Sequence, residues 1–289
     1  MATMTVREGL FKPEIWSKLL LRDIMDYGVM FDCVNRNWEG EIKHAGDTVH
    51  IQAIGDVTVN TLDRDTALQY QKLDGTSLEL VVDQLKYFAF HVDDIEKVQS
   101  NIEFMGKYTT KAKKEVVNVK DAYLHALGVA GVDSDNQMGT IAITKENIYD
   151  TLVDMFVMLS DTNAIDKNGR GADGKRPFLI LPPKIVGVLK KSEEAKNSTS
   201  LGDETMRKGV ILPDFAGFDI KQATTVKDSG DGFDILAGTT EAITYAEQIT
   251  KIESLKDKDF FGDFQRGEYV YGGKVVQPKA LVSAKFTVA

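Results

Sequence analysis

Residues 93–127, DDIEKVQSNIEFMGKYTTKAKKEVVNVKDAYLHAL, are the one long, strongly periodic stretch of the chain, and their reading decides the fold. Ile95, Val98, Ile102, Met105, Ala112, Val116, Val119, Tyr123 and Ala126, with Thr109 filling the gap, alternate spacings of three and four. This spacing predicts a helix with one buried stripe. Asp93 stands as N-cap with Glu96 reaching back, and Gly128 stands where a left-handed C-terminal residue belongs. At about 1.5 Å rise per residue the rod is roughly 50 Å long, several times an ordinary globular helix, and so reads as a strut. Its six Lys and six Asp or Glu lie mostly off the stripe, which assigns the remaining surface to solvent or to another charged surface.

Upstream, residues 40–92 switch to the two-residue period of strands. Val49, Ile51 and Ala53 alternate with Thr48, His50 and Gln52, and Leu78, Leu80 and Val82 alternate again on the far side. Phe88, Phe90 and Val92 carry that period to the start of the helix. Between the arms lies 61–75, TLDRDTALQYQKLDG, too polar for a core of its own. Two arms with a polar tip predict a long β-hairpin. Such a hairpin is marginal alone in water, so it leans on the rest of the chain or on another copy. Residues 10–27, with Phe11, Pro13, Ile15, Trp16, Leu19, Leu20 and Ile24, form an amphipathic helix entered through a proline. This apolar arm either packs back or docks onto a neighbour.

Downstream, the Gly/Asp/Asn/Ser-rich residues 129–140 read as a linker and the clearest boundary. A second helix starts with Thr144 as cap and puts Ile148, Leu152, Met155, Phe156 and Leu159 on one face. Residues 161–175 are a polar loop. Residues 177–181 are a buried strand ended by Pro182 and Pro183, with a brief helix through Ile185, Val188 and Leu189 following. An exposed loop, 191–208, leads to two strands, 218–226 and 233–237, flanking the turn KDSGDG. Together these make a compact α/β unit. The tail, 243–288, returns to strands through Tyr269, Tyr271, Val275, Val276, Leu281, Val282 and Phe286.

Composition bounds the function. The chain has 289 residues, 43% of them hydrophobic and 27% charged, ordinary for a soluble globular protein. A net charge of −9 has the wrong sign for gripping a phosphate backbone by counterion release. A lone cysteine, Cys33, excludes an intrachain disulfide, and beside Phe31 and Val34 it reads as a small buried hydrophobe. No apolar block marks a signal peptide and no run approaches the ~20 residues that span a bilayer, so the protein is expected to be made and kept in the cytosol, with no membrane partner.

Motifs of chemistry are sparse. GRGADGK, 169–175, has the spacing of a phosphate-binding loop, but Arg176 stands where Ser or Thr should hold magnesium, and a strand follows where a helix should. A mobile turn is the better reading. Asp228, Asp231 and Asp234, like Asp133 and Asp135, lack the glycine and terminal glutamate of a calcium loop and read as solvated turn acids. His44, His50, His91 and His125 form no zinc spacing, and no Gly-x-Ser-x-Gly elbow is present. No catalytic, cofactor or metal residues are assigned. An α/β enzyme with an unrecognised site, residues 191–208 as its lid, stays open as the reading from a different class.

The order of elements and several stretches resemble one family. Pro13-Glu14-Ile15-Trp16-Ser17, Val34-Asn35-Arg36, Gly40-Glu41-Ile42 and Ala45-Gly46-Asp47-Thr48-Val49 lie at the start. Gln84-Leu85-Lys86-Tyr87-Phe88-Ala89-Phe90 leads into Val92-Asp93-Asp94, followed later by the run 176–183, RPFLILPP, and by 267–278, GEYVYGGKVVQP. These resemble the major capsid protein of tailed bacteriophages, the Hong Kong ninety-seven type fold shared with herpesvirus floor domains and encapsulin shells. The resemblance implies an α+β fold: an N-terminal arm (1–37), an extended β-hairpin loop with its peripheral-domain strands (38–92), a peripheral-domain spine helix (93–139), an axial domain (140–245), and peripheral return strands (246–289).

The function it implies is structural, without enzyme activity or cofactor. Pentamers and hexamers would build an icosahedral virion capsid in the host cytoplasm around double-stranded DNA bound without sequence specificity. A scaffolding protein and a portal protein would be partners. No scaffolding segment precedes the arm, so the scaffold is expected to be a separate protein and no large N-terminal removal is expected. Candidate intersubunit contacts are Trp16 in the arm, Arg64, Asp65, Tyr70 and Lys72 at the hairpin tip, Lys111, Lys113 and Lys114 on the helix, and Arg207 in the axial loop. Some relatives join subunits through a Lys–Asn bond, and Lys72 lies in a suitable loop, although no Asn partner is identified. An encapsulin-like compartment is the alternative within the same class.

Overall fold

The computed structural model describes residues 28–37, 48–53, 70, 76–93, 103–192, 213–226, 228, 230–256 and 262–288. The elements, in chain order, are β1 (Thr48–Ala53), β2 (Thr76–Val81), β3 (Gln84–Asp93), α1 (Glu103–Ala130), β4 (Gln137–Ile143), α2 (Ile148–Asp161), β5 (Phe178–Leu181), α3 (Pro183–Leu189), β6 (Pro213–Phe215), β7 (Phe218–Gln222), β8 (Phe233–Gly238), β9 (Ile243–Lys256), β10 (Gly262–Val275) and β11 (Leu281–Val288). They form a two-stranded sheet, β1-β2, a three-stranded sheet, β3-β10-β9, and a six-stranded sheet, β4-β11-β8-β5-β7-β6. The predicted α+β class is what the chain adopts.

The long helix is there over 28 described residues, but its buried face differs from the predicted stripe. Val116, Val117, Leu124 and Gly128 face the core, as do Lys120 and Asp121, whereas Val119 is 43% exposed and Ala126 is exposed. Each charged pair position is buried because a partner waits for it, so the stripe is rotated toward residues that look solvated in sequence. Gly128 lies inside the helix, not after it. A Cβ there would stand 2.5 Å from the Leu236 side chain, so this glycine permits close packing of α1 on β8. The helix is ended by Gly131, whose N–H donates to the carbonyls of Leu127 and Gly128. Asp93 is the last residue of β3, opposite Gly262, and the turn it was expected to cap lies outside the described residues.

The hairpin is real and partly self-supported. β1 and β2 pair antiparallel from Thr48↔Val81 to Ala53↔Thr76. The second arm is not continuous, however. It ends at Val81, and β3 leaves to pair with β10 along Gln84–Asp93. Ile51, Leu80 and Val82 bury against Val270 and Ala246, so the base of the hairpin lies on the open face of the three-stranded sheet. Gly272 makes this crossing: a Cβ there would be 2.3 Å from the Val81 carbonyl oxygen. The opposite face of the sheet packs on α1, where the rings of Tyr123 and Tyr271 meet edge to face at 5.1 Å.

The α/β unit is built around β5, buried at all four positions. β7 and β8 do not pair with each other across the 227–232 turn; β5 separates them, parallel to β7 and antiparallel to β8. The predicted faces of α2 and α3 hold, with Val186 in place of Val188 in the core of α3. Thr144 does not cap α2, which begins at Ile148 after a turn whose Glu146 N–H donates to the Thr144 hydroxyl at 3.4 Å. Residues 129–140 are not a free linker either. Asn136 is buried and donates its amide to the carbonyls of Lys279 (2.9 Å) and Leu281 (3.0 Å), and β4 crosses the expected boundary. The last strand also belongs elsewhere than expected: β11 sits in the six-stranded sheet between β4 and β8.

Candidate functional site

Lys120 and Asp121 are neighbours on α1, and between them they fix residues 28–37 to the body. Lys120 ion-pairs with Glu247 of β9, and the same carboxylate oxygen, Oε2, accepts the Tyr245 hydroxyl at 2.7 Å. The ammonium lies 5.0 Å from the centroid of the Tyr269 ring and 6.0 Å from that of Phe31. Arg36 stands 3.7 Å from the other oxygen, Oε1. Asp121 accepts the backbone N–H of Val29 at 2.9 Å and of Met30 at 3.3 Å, at the start of the short 3-10 turn Met30–Asp32.

The segment is then laid beside β9. Asn35 donates its N–H to Ile243 at 2.8 Å and accepts that of Tyr245 at 2.9 Å, while Met30, Phe31, Cys33 and Val34 are buried. Burial pushes the Asp121 carboxyl up to about 6 against the pull of its two N–H donors. Burial likewise pushes the Cys33 thiol up to about 12, and its S–H points to the Val29 carbonyl at 3.4 Å, so it is an inert core residue as expected. His125, one turn beyond Asp121, is also buried; desolvation lowers its pKa despite the nearby Asp234, and among the described residues its Nε2 has no hydrogen-bond partner.

An open cleft of about 860 Å³ lies between this segment and the 166–176 loop, lined by both signs of charge, among them Arg36, Arg170, Lys175, Lys221, Asp32 and Asp219. The loop is the turn expected from the sequence. Asp166 Oδ1 accepts the N–H groups of Asn168 at 2.8 Å and Arg170 at 2.9 Å, and those bonds hold its carboxyl below the usual range. β5 follows it, so no helix N-terminus is there to cradle a phosphate. Among the described residues no three His, Cys, Asp or Glu side chains come together as a metal set, and no helix is long and apolar enough to cross a membrane.

Of the contacts expected from sequence, Tyr70 is 91% exposed. Lys111 and Lys114 are exposed one turn apart on α1, and Lys113 lies on the same helix. Trp16, Arg64, Asp65, Lys72 and Arg207 lie outside the described residues. Reasoning from sequence missed Arg36, Lys120, Asp121, Tyr245 and Glu247. A signal was available: Val117, Leu124 and Gly128 share a helical face on which position 121 also falls, so a charge there needs a partner.

Solved structures share the fold that carries these residues. The capsid of Ralstonia phage GP4 aligns with a TM-score of 0.65 at 11% identity, over 89% of this chain and 87% of that one. A structure from Mycobacterium phage Che8 aligns at 0.68 and 22% identity, over 98% of this chain and 95% of that one. This is the phage capsid fold. The capsid fold also relates the chain to a virus-like particle from Pyrococcus furiosus, at a lower TM-score of 0.53 and 12% identity, over 93% and 96% of the two chains. No protein-family model matches the chain, and no curated protein matches it by sequence. Shape therefore carries the fold assignment, and within that fold the Lys120–Glu247 and Asp121 contacts fasten residues 28–37 to the long helix.

Proposed function

We propose that the chain is the major capsid protein of a tailed bacteriophage, a structural protein that assembles as pentamers and hexamers into an icosahedral shell around double-stranded DNA. The observation that carries this reading is the extent of the likeness to the Che8 structure, 98% of the chain. The acidic balance suits it, since a shell confines DNA without gripping it. Residues 1–37 serve as the arm and 38–92 as the extended loop with its peripheral-domain strands. The long helix with β3, β9 and β10 forms the peripheral domain, and the six-stranded sheet with α2 and α3 forms the axial domain. In this assembly the hairpin tip, with Arg64, Asp65, Tyr70 and Lys72, reaches a neighbour's helix near Lys111, Lys113 and Lys114, while Trp16 and Arg207 contact further copies.

A separate scaffolding protein and a portal protein are the assembly partners, and the virion is the location. An encapsulin-like compartment is the second reading; the virus-like particle aligns at 0.53, below the 0.65 and 0.68 of the two phage structures, and this favours the phage side. The test is expression of the chain with and without the scaffolding protein of its operon, followed by sucrose-gradient sedimentation and electron microscopy. Shells, or free pentamers and hexamers, are expected. A small oligomer that never enters particles and turns over a metabolite would overturn the proposal.

A further inference from the structure

We infer that the turn of α1 from Asp121 to His125 is a pH-responsive joint: acidification loosens the long helix from β8 at His125 and tightens its hold on residues 28–37 at Asp121. The joint lies within one subunit and needs no assembly to act. Asp121 and His125 are 3% and 8% exposed and stand about one helical turn apart. They serve different neighbours. Asp121 accepts the N–H groups of Val29 and Met30, whereas the His125 ring hydrogen-bonds the Asp234 backbone in β8. Its Nε2 is buried with no partner among the described residues.

In the neutral ring one nitrogen donates and the other accepts, so a bare Nε2 forgoes one hydrogen bond. Protonation turns that atom into a buried cationic donor with nothing to receive it, which costs far more. Three residues on, Gly128 brings α1 so close to β8 that a Cβ would stand 2.5 Å from the Leu236 side chain, so the contact beside His125 has little slack. The charge that faces His125 is the half-exposed Asp234 carboxylate, and Lys285 of β11 stands 3.8 Å from it. A protonated ring gains a counter-ion by moving outward to Asp234, and the helix loses its seat on β8 as it does so. Of the other elements packed on α1, β9 brings Glu247, already paired with Lys120, and β10 brings Tyr271, whose hydroxyl burial pushes up to about 12. Asp32 and Cys33 face Asp121 from the 28–37 segment, and Asp32 pairs with Lys221 at 3.1 Å.

The two groups respond with opposite sign. Burial holds His125 below its ordinary 6.5, so its contribution to stability is present above 6.5 and is lost as pH falls through the folded value. Asp121, at about 6 against an ordinary 3.8, contributes more as pH falls through 6. Acid therefore weakens the β8 contact and strengthens the 28–37 contact, and a global melt registers only the difference.

The test is hydrogen exchange of the dispersed full-length chain at pH 7.5 and pH 5.5, read by mass spectrometry and divided by the intrinsic rates. Peptides from 122–131 and 233–238 are expected to open about tenfold more at pH 5.5, the factor by which protonation of an ordinary histidine multiplies the open state over that interval while the closed state stays neutral. Peptides from 28–37 are expected to gain about fourfold protection, the factor given by a carboxyl at about 6 over the same interval. His125→Gln should abolish the first change and keep the second, and Asp121→Asn should do the reverse. A separate measurement covers the case of a variant that fails to fold. Replacing His44, His50 and His91 by Gln leaves His125 as the one histidine, and nuclear magnetic resonance then follows its ring directly through an acid titration. Titration below 6.5, in step with the loss of protection at 122–131, is the expected result. A ring that titrates at or above 6.5, or that stays neutral down to acid unfolding, overturns the joint. Protection at 122–131 that ignores pH in wild type, or that falls equally in His125→Gln, overturns it as well.

Discussion

Lys120→Met isolates the contact that fastens residues 28–37 and β9 to the long helix. The substitution nearly conserves volume but leaves Glu247 buried, holding the Tyr245 hydroxyl and with Arg36 no nearer than 3.7 Å. Removing one partner of a buried ion pair costs about 3–5 kcal/mol, because the remaining charge keeps its desolvation penalty without the compensating attraction. Glu247→Leu is expected to cost a similar amount. The double variant is expected to lose only about 1–3 kcal/mol, the penalty for leaving the Tyr245 hydroxyl without its acceptor. The singles and the double are therefore far from additive. Urea unfolding of dispersed subunits, followed by tryptophan fluorescence and far-ultraviolet circular dichroism, measures all four corners of the cycle. Hydrogen exchange at the Tyr245 amide, which donates to Asn35, gives an independent reading and should accelerate in Lys120→Met. Additive losses, or a Lys120→Met cost below about 1 kcal/mol, would refute the reasoning that this pair is desolvated and coupled.

Other expectations follow from the same contacts. Gly272→Ala places a methyl group 2.3 Å from the Val81 carbonyl, so the hairpin base must lift from the sheet; a loss of about 1–3 kcal/mol and increased proteolysis between β1 and β2 are expected, and an unchanged melt would contradict the crossing. Asp121 titrates higher in the folded chain, about 6, than its ordinary 3.8, so its contribution to stability is fully present below 3.8 and is lost as pH rises through 6. Relative to Asp121→Asn, wild type should gain about 2–3 kcal/mol between pH 7 and pH 4, measured by urea midpoints; His125 titrates in both chains and cancels in the difference. Val116→Asp should unfold the subunit by burying an unpaired carboxylate, whereas reversing Lys111, Lys113 and Lys114 to Glu should leave a folded subunit that assembles poorly. Normal shells from the triple variant would dismiss the outer face of the helix as a contact.

Periodicity made the long helix, the hairpin, α2, β5 and α3 legible, because each buries residues at its own spacing. Pairing was less legible. Nothing local tells β7 and β8 that β5 will stand between them, or sends β11 to β4 instead of to the three-stranded sheet, since those choices come from tertiary packing of similar apolar strands. The helix stripe was read about one position off for a related reason. Lys120 and Asp121 count as solvated in any hydrophobicity pattern, yet partners distant in sequence, Glu247 and the backbone of Val29 and Met30, make their burial favourable. The glycines at 128 and 272 carried signals that spacing alone misassigned: each admits a close neighbour, Leu236 in one case and the Val81 backbone in the other. Exposed positions were the least legible, since a surface side chain such as Tyr70 carries no mark in its own chain's pattern of what it would meet.

The central claim is that many copies of this chain close into a shell. Electron microscopy of the purified chain, expressed with and without a candidate scaffolding protein and fractionated by sedimentation, tests it most directly. Uniform closed particles with pentameric and hexameric clusters on their surface are the predicted result. A homogeneous small oligomer under every assembly condition, with no particle or ring in any fraction, would contradict it.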